Sequence, residues 1–208
     1  MIKRIFRFYR LPMYIIIHPF DGFYNMKHQN EGTIKLALFN FALLLISLAF
    51  STQYASIIVN TQNPLTMNSF NDLMTVVGAL LLFCVANWSV TTLTDGEGKF
   101  KEIFMAMCYA MTPLIFTIIP ATLLSNLLAA EEVGFYYLVL SVGTFYFVFL
   151  AFIGLVTIHG YGAVKSIATI ILTAISILII VFLITLLFTM WQQLTVFLYS
   201  IYTELMFR

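Results

Sequence analysis

Five long apolar segments constrain this chain more than any other feature of its sequence. They lie approximately at residues 36–58, 70–93, 104–128, 135–158 and 167–191. A hydrocarbon core of roughly 30 Å needs about 20 apolar residues of α-helix, and each segment supplies at least that many. Since 62% of the residues are hydrophobic and only 9% are charged, a water-soluble globule would lack polar groups for its surface. The sequence therefore predicts an all-α, polytopic membrane protein with five transmembrane helices.

The positive charges predict the orientation of these helices. Nine of the ten Lys and Arg residues precede the first segment, join the second to the third, or join the fourth to the fifth, and only Arg208 falls on the other side. Cytoplasmic loops are enriched in Lys and Arg, so we predict a cytoplasmic N-terminus and an extracytoplasmic C-terminus. Residues 1–35 would form a cytoplasmic juxtamembrane collar, 36–191 the membrane domain, and 192–208 an extracytoplasmic tail that extends the last helix or lies in the interface.

The first ten residues show the pattern of a short amphipathic helix in the membrane interface. Apolar side chains share one face at helical spacing, namely Ile2, Ile5, Phe6 and Tyr9. Cations occupy the other side, namely Lys3, Arg4, Arg7 and Arg10. We expect this helix to end near Pro12 and to contact anionic headgroups.

The run from His18 to Tyr24 predicts a folded collar under the membrane helices. The His18-Pro19 pair favours an extended entry, and Gly22 permits a turn. Aromatic residues such as Phe20 suit the level of the lipid headgroups.

The two loops predicted to be cytoplasmic share the pattern x-G-x-G-x-x-K-x-I, at residues 95–103 and 159–167. Two glycines allow positive φ and close approach of the backbone, and the following lysine suits the start of the returning helix. The pattern favours a duplicated two-helix unit. Two interpretations stay open: an anionic docking surface for a lipid phosphate or an acidic segment, or tight membrane hairpins with no ligand.

Within the apolar segments, ionisable side chains are absent from the central positions, which argues against an ion-coupled pump. Asn87 and Trp88 are placed to act as positional residues, the amide bridging to the third segment and the indole marking the interface. Pro113 and Pro120 predict a kinked or loosened third helix.

Catalytic and cofactor chemistry have little support in this sequence. No Gly-x-Ser-x-Gly elbow or intramembrane histidine accompanies a serine, and no pair of histidines has the spacing of metal ligands. A net charge of +1 offers no basic face for nucleic acid. We therefore predict no catalytic, cofactor-binding or metal-binding residues, and no nucleic-acid partner.

Three stretches resemble the Yip1 domain family in its bacterial form: residues 18–24, residues 87–102, and Gly160-Tyr161-Gly162 with Lys165. The resemblance runs from about His18 to Trp191. It implies five membrane helices and a cytoplasmic N-terminus. Eukaryotic members act in membrane trafficking and associate with Rab GTPases through a longer N-terminal region; this chain lacks that region, so Rab binding is not expected here.

The expected function is that of a non-catalytic adaptor or scaffold in the bacterial cytoplasmic membrane. It would bind a lipid, another integral membrane protein or a second copy of itself through its cytoplasmic face. The alternative is a transport component, either an auxiliary permease subunit or a small channel for neutral solutes. The candidate contact residues are His18, Phe20, Asp21, Asn87, Trp88, Asp95, Gly96, Gly98, Lys99, Lys101, Gly160, Tyr161, Gly162 and Lys165.

Overall fold

The computed structural model describes residues 9–29, 31–60 and 68–207, apart from the side chain of Ser69. Within these residues every regular element is helical. The α-helices are α1 (Arg10–Ile17), α2 (Pro19–His28), α3 (Ile34–Tyr54), α4 (Ser69–Leu93), α5 (Phe100–Ala110), α6 (Thr112–Ser125), α7 (Val133–His159) and α8 (Ala163–Met206), with a short 3-10 turn at Ala130–Glu132.

The prediction of five membrane-spanning helices is confirmed. By length and composition, α3, α4, α5 with α6, α7 and α8 are each able to cross a membrane. The first span ends at Tyr54 and not at residue 58, because Ala55 leaves the helix in an extended conformation. The loop beyond it is then held by Ser125, whose Oγ accepts from the Ser56 N–H at 3.0 Å. Which side of the membrane receives the N-terminus stays a prediction.

The third span is the most buried of the five, and it is interrupted where proline was expected to disturb it. Helix α5 ends at Ala110, and α6 begins two residues later with Pro113 in its first turn. A proline inside a helix removes one hydrogen bond and clashes with the carbonyl four residues earlier. That carbonyl, on Tyr109, accepts from Thr112 Oγ1 at 2.6 Å, and the neighbouring Cys108 carbonyl accepts from Asn40 Nδ2 at 2.6 Å. Side chains within the bundle therefore provide hydrogen bonds to the backbone carbonyls at the break.

The helices α1 and α2 pack on each other and on the membrane spans. Ile15 of α1 and Phe23 of α2 are fully buried, and the Phe23 ring packs on Gly154 of α7. Burying these apolar faces is favourable by roughly 25 cal/mol per Å², which explains why the two helices fold onto the bundle.

The amphipathic helix expected over residues 2–10 lies almost entirely outside the described residues. The described helix α1 begins at Arg10 and has Pro12 in its first turn, where backbone N–H groups have no intrahelical acceptor and a proline costs no hydrogen bond. The expectation of a turn at Gly22 is wrong, because Gly22 lies inside α2. A Cβ at Gly22 would come within 2.6 Å of Ile15, so this glycine allows α1 and α2 to touch. The headgroup contacts expected of residues 1–8 lie outside the described residues.

Helix α8 is far longer than a single crossing requires. Its 44 residues span roughly 66 Å at 1.5 Å per residue. It packs mainly on α4, and beyond Thr173 none of its described residues is buried. Of the two alternatives for the tail, the described residues continue the last helix without a break to Met206.

Candidate functional site

The two glycine loops lie next to each other at one end of the bundle and form a single surface. We call residues 94–101 and 160–165 the hairpin face. The helices that lead into this face, α4 and α7, end with the same type of hydrogen bond, in which an N–H donates to the carbonyl five residues earlier. The Gly96 N–H donates to Thr91 O at 2.8 Å, and the Tyr161 N–H donates to Val156 O at 3.2 Å.

The repeat pattern aligns Gly96 with Gly160, but the backbone conformations of the two loops give a different correspondence. The left-handed residue is Asp95 in the first loop (φ 55°) and Gly160 in the second (φ 66°). The structural counterpart of Gly160 is therefore Asp95 and not Gly96. Among the described glycines, Gly160 alone has positive φ, so of the two properties expected of the loop glycines, positive φ is confirmed only at Gly160.

Gly96 and Gly98 show the other expected property, close approach of the backbone, and allow the two loops to pack closely. A Cβ on Gly96 would lie 2.6 Å from the Tyr161 hydroxyl and 2.9 Å from His159 Nδ1. A Cβ on Gly98 would lie 2.6 Å from the His159 ring and 2.7 Å from Ile158. These distances are shorter than real Cβ contacts, so neither position accepts a side chain without movement of the opposite loop.

His159 is the residue that the first loop covers. Its side chain is buried, and Nε2 lies 3.1 Å from Asn87 Oδ1. Asn87 Nδ2 donates to Thr173 Oγ1 at 3.1 Å, so one buried network joins α4, α7 and α8. The expectation that Asn87 bridges to the third span is wrong: it bridges to the fourth and fifth. His159 Nδ1 has no hydrogen-bond partner among the described residues.

Tyr161 fixes the second loop to the first. Its hydroxyl lies 2.8 Å from Thr94 Oγ1 and donates to Thr94 O at 3.0 Å. One face of its ring stacks on His159, and Lys165 Nζ lies 4.2 Å from the ring centroid. The lysine of the second loop is therefore held by a cation–π contact.

Helix α2 also contributes to the hairpin face, through Lys27, a residue that the sequence pattern did not indicate. Lys27 Nζ donates to Glu97 Oε2 at 2.7 Å and to the Ile158 carbonyl at 2.8 Å. The hydrogen bond and charge of Lys27 hold the pKa of the Glu97 carboxyl below its ordinary value. Lys27 thus connects α2, the first loop and the end of α7, which carries the negative end of the helix dipole.

The outer part of the hairpin face is polar and accessible. Asp95, Lys99 and Lys101 are exposed, and none of them joins an ion pair with another described residue. Trp88 is 45% exposed and meets Phe100 edge to face, with ring centroids 6.3 Å apart. An aromatic pair therefore borders the exposed lysines Lys99 and Lys101.

The structure divides the sequence-predicted contact residues into three sets. The exposed residues of the hairpin face and its border are Trp88, Asp95, Lys99, Lys101, Gly160, Gly162 and Lys165. Asn87, Gly98 and Tyr161 are buried and Gly96 is half-buried, and they support that face from below. His18, Phe20 and Asp21 are exposed at the opposite end of α2, roughly 12 Å along the helix axis from Lys27, and do not belong to it.

Comparison with known proteins agrees with the resemblance seen in the sequence. The family model of the Yip1 domain matches residues 13–202. No match was found among curated proteins or among solved structures. The matched range includes both loops, α2, the first four spans and α8 as far as residue 202.

Proposed function

Because this chain belongs to the Yip1 domain family and is a multi-pass membrane protein of that type, we propose that it is an adaptor or scaffold. The hairpin face is its docking surface. The family is generally non-enzymatic, and we propose the same for this chain. The proposed location is the bacterial cytoplasmic membrane, with the hairpin face in the cytoplasm.

The close packing of the two loops is the main support for this proposal. A loop pair held by close glycine contacts, by Tyr161 and by the Lys27–Glu97 ion pair presents its outer residues in one arrangement. Preorganised surfaces bind more tightly because less conformational entropy is lost on association. Lys99 and Lys101, exposed and without an ion pair to another described residue, and the neighbouring aromatic pair favour a partner with an acidic segment and an apolar anchor.

The environment of His159 supports a non-catalytic role. A general base must reach the proton that it removes. His159 is 2% exposed, and Gly96 and Gly98 pack over its ring. Its ring nitrogen Nε2 faces an amide and not a nucleophile. Its position suits a structural support for the hairpin face.

Purification and reconstitution separate this proposal from a transport role. The full chain, purified from its native membrane in mild detergent, should retain an integral membrane protein in fixed stoichiometry. The double variant Lys99→Glu, Lys101→Glu should lose that partner while its melting temperature stays unchanged, because both side chains are exposed. If the pure protein instead moves a neutral solute across proteoliposomes and retains no partner, the adaptor proposal is wrong.

A further inference from the structure

Two apolar grooves lie side by side where α1 meets the spans. The first has a volume of about 640 Å³ and lies between α1, α3 and α6. The second has a volume of about 310 Å³ and lies between α1, α6 and α7. Met13 and Phe116 line both grooves and form the wall between them. Sites for small ligands commonly have volumes of roughly 300–1,000 Å³, so each groove is large enough to hold part of a ligand.

Both grooves present hydrocarbon to an occupant. Ile17 and Leu43 line the first, and Val142 and Pro113 line the second. The hydroxyls in the second groove are already used, since Thr117 Oγ1 donates to Pro113 O at 3.1 Å and Tyr146 donates to Ile16 O at 2.5 Å. An occupant of this groove therefore contributes apolar surface.

Hydrogen bonds hold α1 over the grooves near both of its ends. Tyr9 immediately precedes α1, and its hydroxyl donates to Asn40 Oδ1 of α3. The Tyr146 hydroxyl of α7 holds the Ile16 carbonyl near the other end. At Gly143 a Cβ would overlap Thr117, so this glycine sets the close approach of α6 and α7 behind the second groove. The two grooves are thus fixed parts of the fold.

Positive charge borders the first groove. Arg10 lines it directly. Lys35 lies one turn before the groove residue Phe39 on α3, a spacing that places both on one helix face. Arg10 and Lys35 are exposed, and neither joins an ion pair with another described residue. Two cations beside two hydrocarbon slots are complementary to an anionic headgroup that carries two acyl chains.

We propose that the paired grooves bind one anionic diacyl phospholipid. One acyl chain lies in each groove, on either side of Met13 and Phe116, and the headgroup phosphate lies at Arg10 and Lys35. Arg is suited to a phosphate because its guanidinium offers parallel N–H donors. This site shares no residue with the hairpin face, so it does not depend on the adaptor proposal.

Native mass spectrometry of the full chain in mild detergent tests the headgroup. The protein is mixed with equal amounts of phosphatidylglycerol and phosphatidylcholine that carry the same acyl chains. We expect one phosphatidylglycerol to be retained in preference to phosphatidylcholine. In the double variant Arg10→Gln, Lys35→Gln this preference should fall by about fivefold for each charge removed. Equal retention of the two lipids by the unchanged protein would overturn the proposal.

A photoreactive acyl chain tests the grooves themselves. Phosphatidylglycerol with a diazirine in its acyl chain should label peptides that contain Met13 and Phe116. Val142→Trp fills the second groove and should lower this labelling severalfold. Val148→Trp is the matched control, because Val148 lies on the same helix and is 58% exposed, against 59% for Val142, but lines neither groove.

Two outcomes of the labelling experiment contradict a lipid site. Equal labelling in the Val142→Trp and Val148→Trp variants would show that the label reports bulk lipid. Labelling that appears only after deletion of residues 1–8 would show that the N-terminal segment of the chain occupies the grooves and excludes phospholipid.

Discussion

His159 Nε2 and Asn87 Oδ1 lie 3.1 Å apart in the interior of the protein, where they join the end of the fourth span to the second. Asn87 lies six residues before the end of α4, roughly 9 Å along its axis. The contact therefore lies beneath the first glycine loop. Through it, His159, which supports the hairpin face, is joined to α4, the helix that leads into the first loop.

Asn87→Ala should lower the free energy of unfolding by about 1–3 kcal/mol, because it leaves the buried His159 nitrogen and the Thr173 hydroxyl without the amide. Thermal unfolding in mild detergent measures this as a shift of about 2–4 °C per kcal/mol. Ser89→Ala is the control on the same helix, since Ser89 Oγ donates to Val85 O within α4. Equal melting temperatures for the two variants would show that the buried network contributes nothing.

Gly98→Ala should destabilise the hairpin face, and Gly162→Ala should not. The added Cβ at position 98 overlaps the buried His159 ring, whereas none of the described atoms lies within 4 Å of a Cβ at position 162. Overpacking of this kind costs about 1–3 kcal/mol. Limited proteolysis of the two loops, together with the melting temperature, measures the difference. If both variants behave like the unchanged chain, the loops do not pack as described.

Gly160 offers a separate test of backbone conformation. Its φ of 66° is left-handed, but a Cβ there would meet only the Glu97 carboxylate at 3.5 Å, an ordinary contact. Gly160→Ala should therefore cost about 1–2 kcal/mol through backbone strain alone. Gly160→Asn should recover part of this loss, because asparagine tolerates the left-handed region. If the destabilisation were caused by steric overlap instead, Gly160→Asn would have a lower melting temperature than Gly160→Ala.

The Lys27–Glu97 pair should make stability depend on pH in the acid range. The pKa of Glu97 is lowered in the folded protein, so the stabilisation is complete above the ordinary carboxyl pKa and is lost as the pH falls through the lower folded value. Glu97 is largely exposed, and the effect should be small. Melting curves between pH 6 and pH 3 should show that Lys27→Met removes this part of the acid dependence and that Lys101→Met retains it.

The fold was predictable from this sequence because span length and hydropathy are properties of single segments. The break before Pro113 was predictable for the same reason, since a proline disturbs its own helix. The partner of Asn87 was not, because nothing in one sequence fixes how a helix is rotated within a bundle of apolar neighbours. Lys27 and Glu97, 70 residues apart, were missed because each charge had several possible partners near the loops.

Of the two properties expected of the loop glycines, close approach of the backbone holds at Gly96 and Gly98. Positive φ holds at Gly160 and, in the first loop, at Asp95 in place of a glycine. Gly96 and Gly98 are explained by what lies opposite them, the His159 ring above all. That relationship depends on the contact between two loops and is not visible in either loop alone.

Site-specific photocrosslinking in the native membrane tests the docking surface most directly. A photoreactive amino acid is placed at Lys101 or Val164, both exposed on the hairpin face, and at Glu131, exposed at the opposite end of the bundle. We expect the same crosslinked membrane protein from positions 101 and 164 and none from position 131. Crosslinks of equal yield from all three positions, or only lipid adducts at positions 101 and 164, would contradict it.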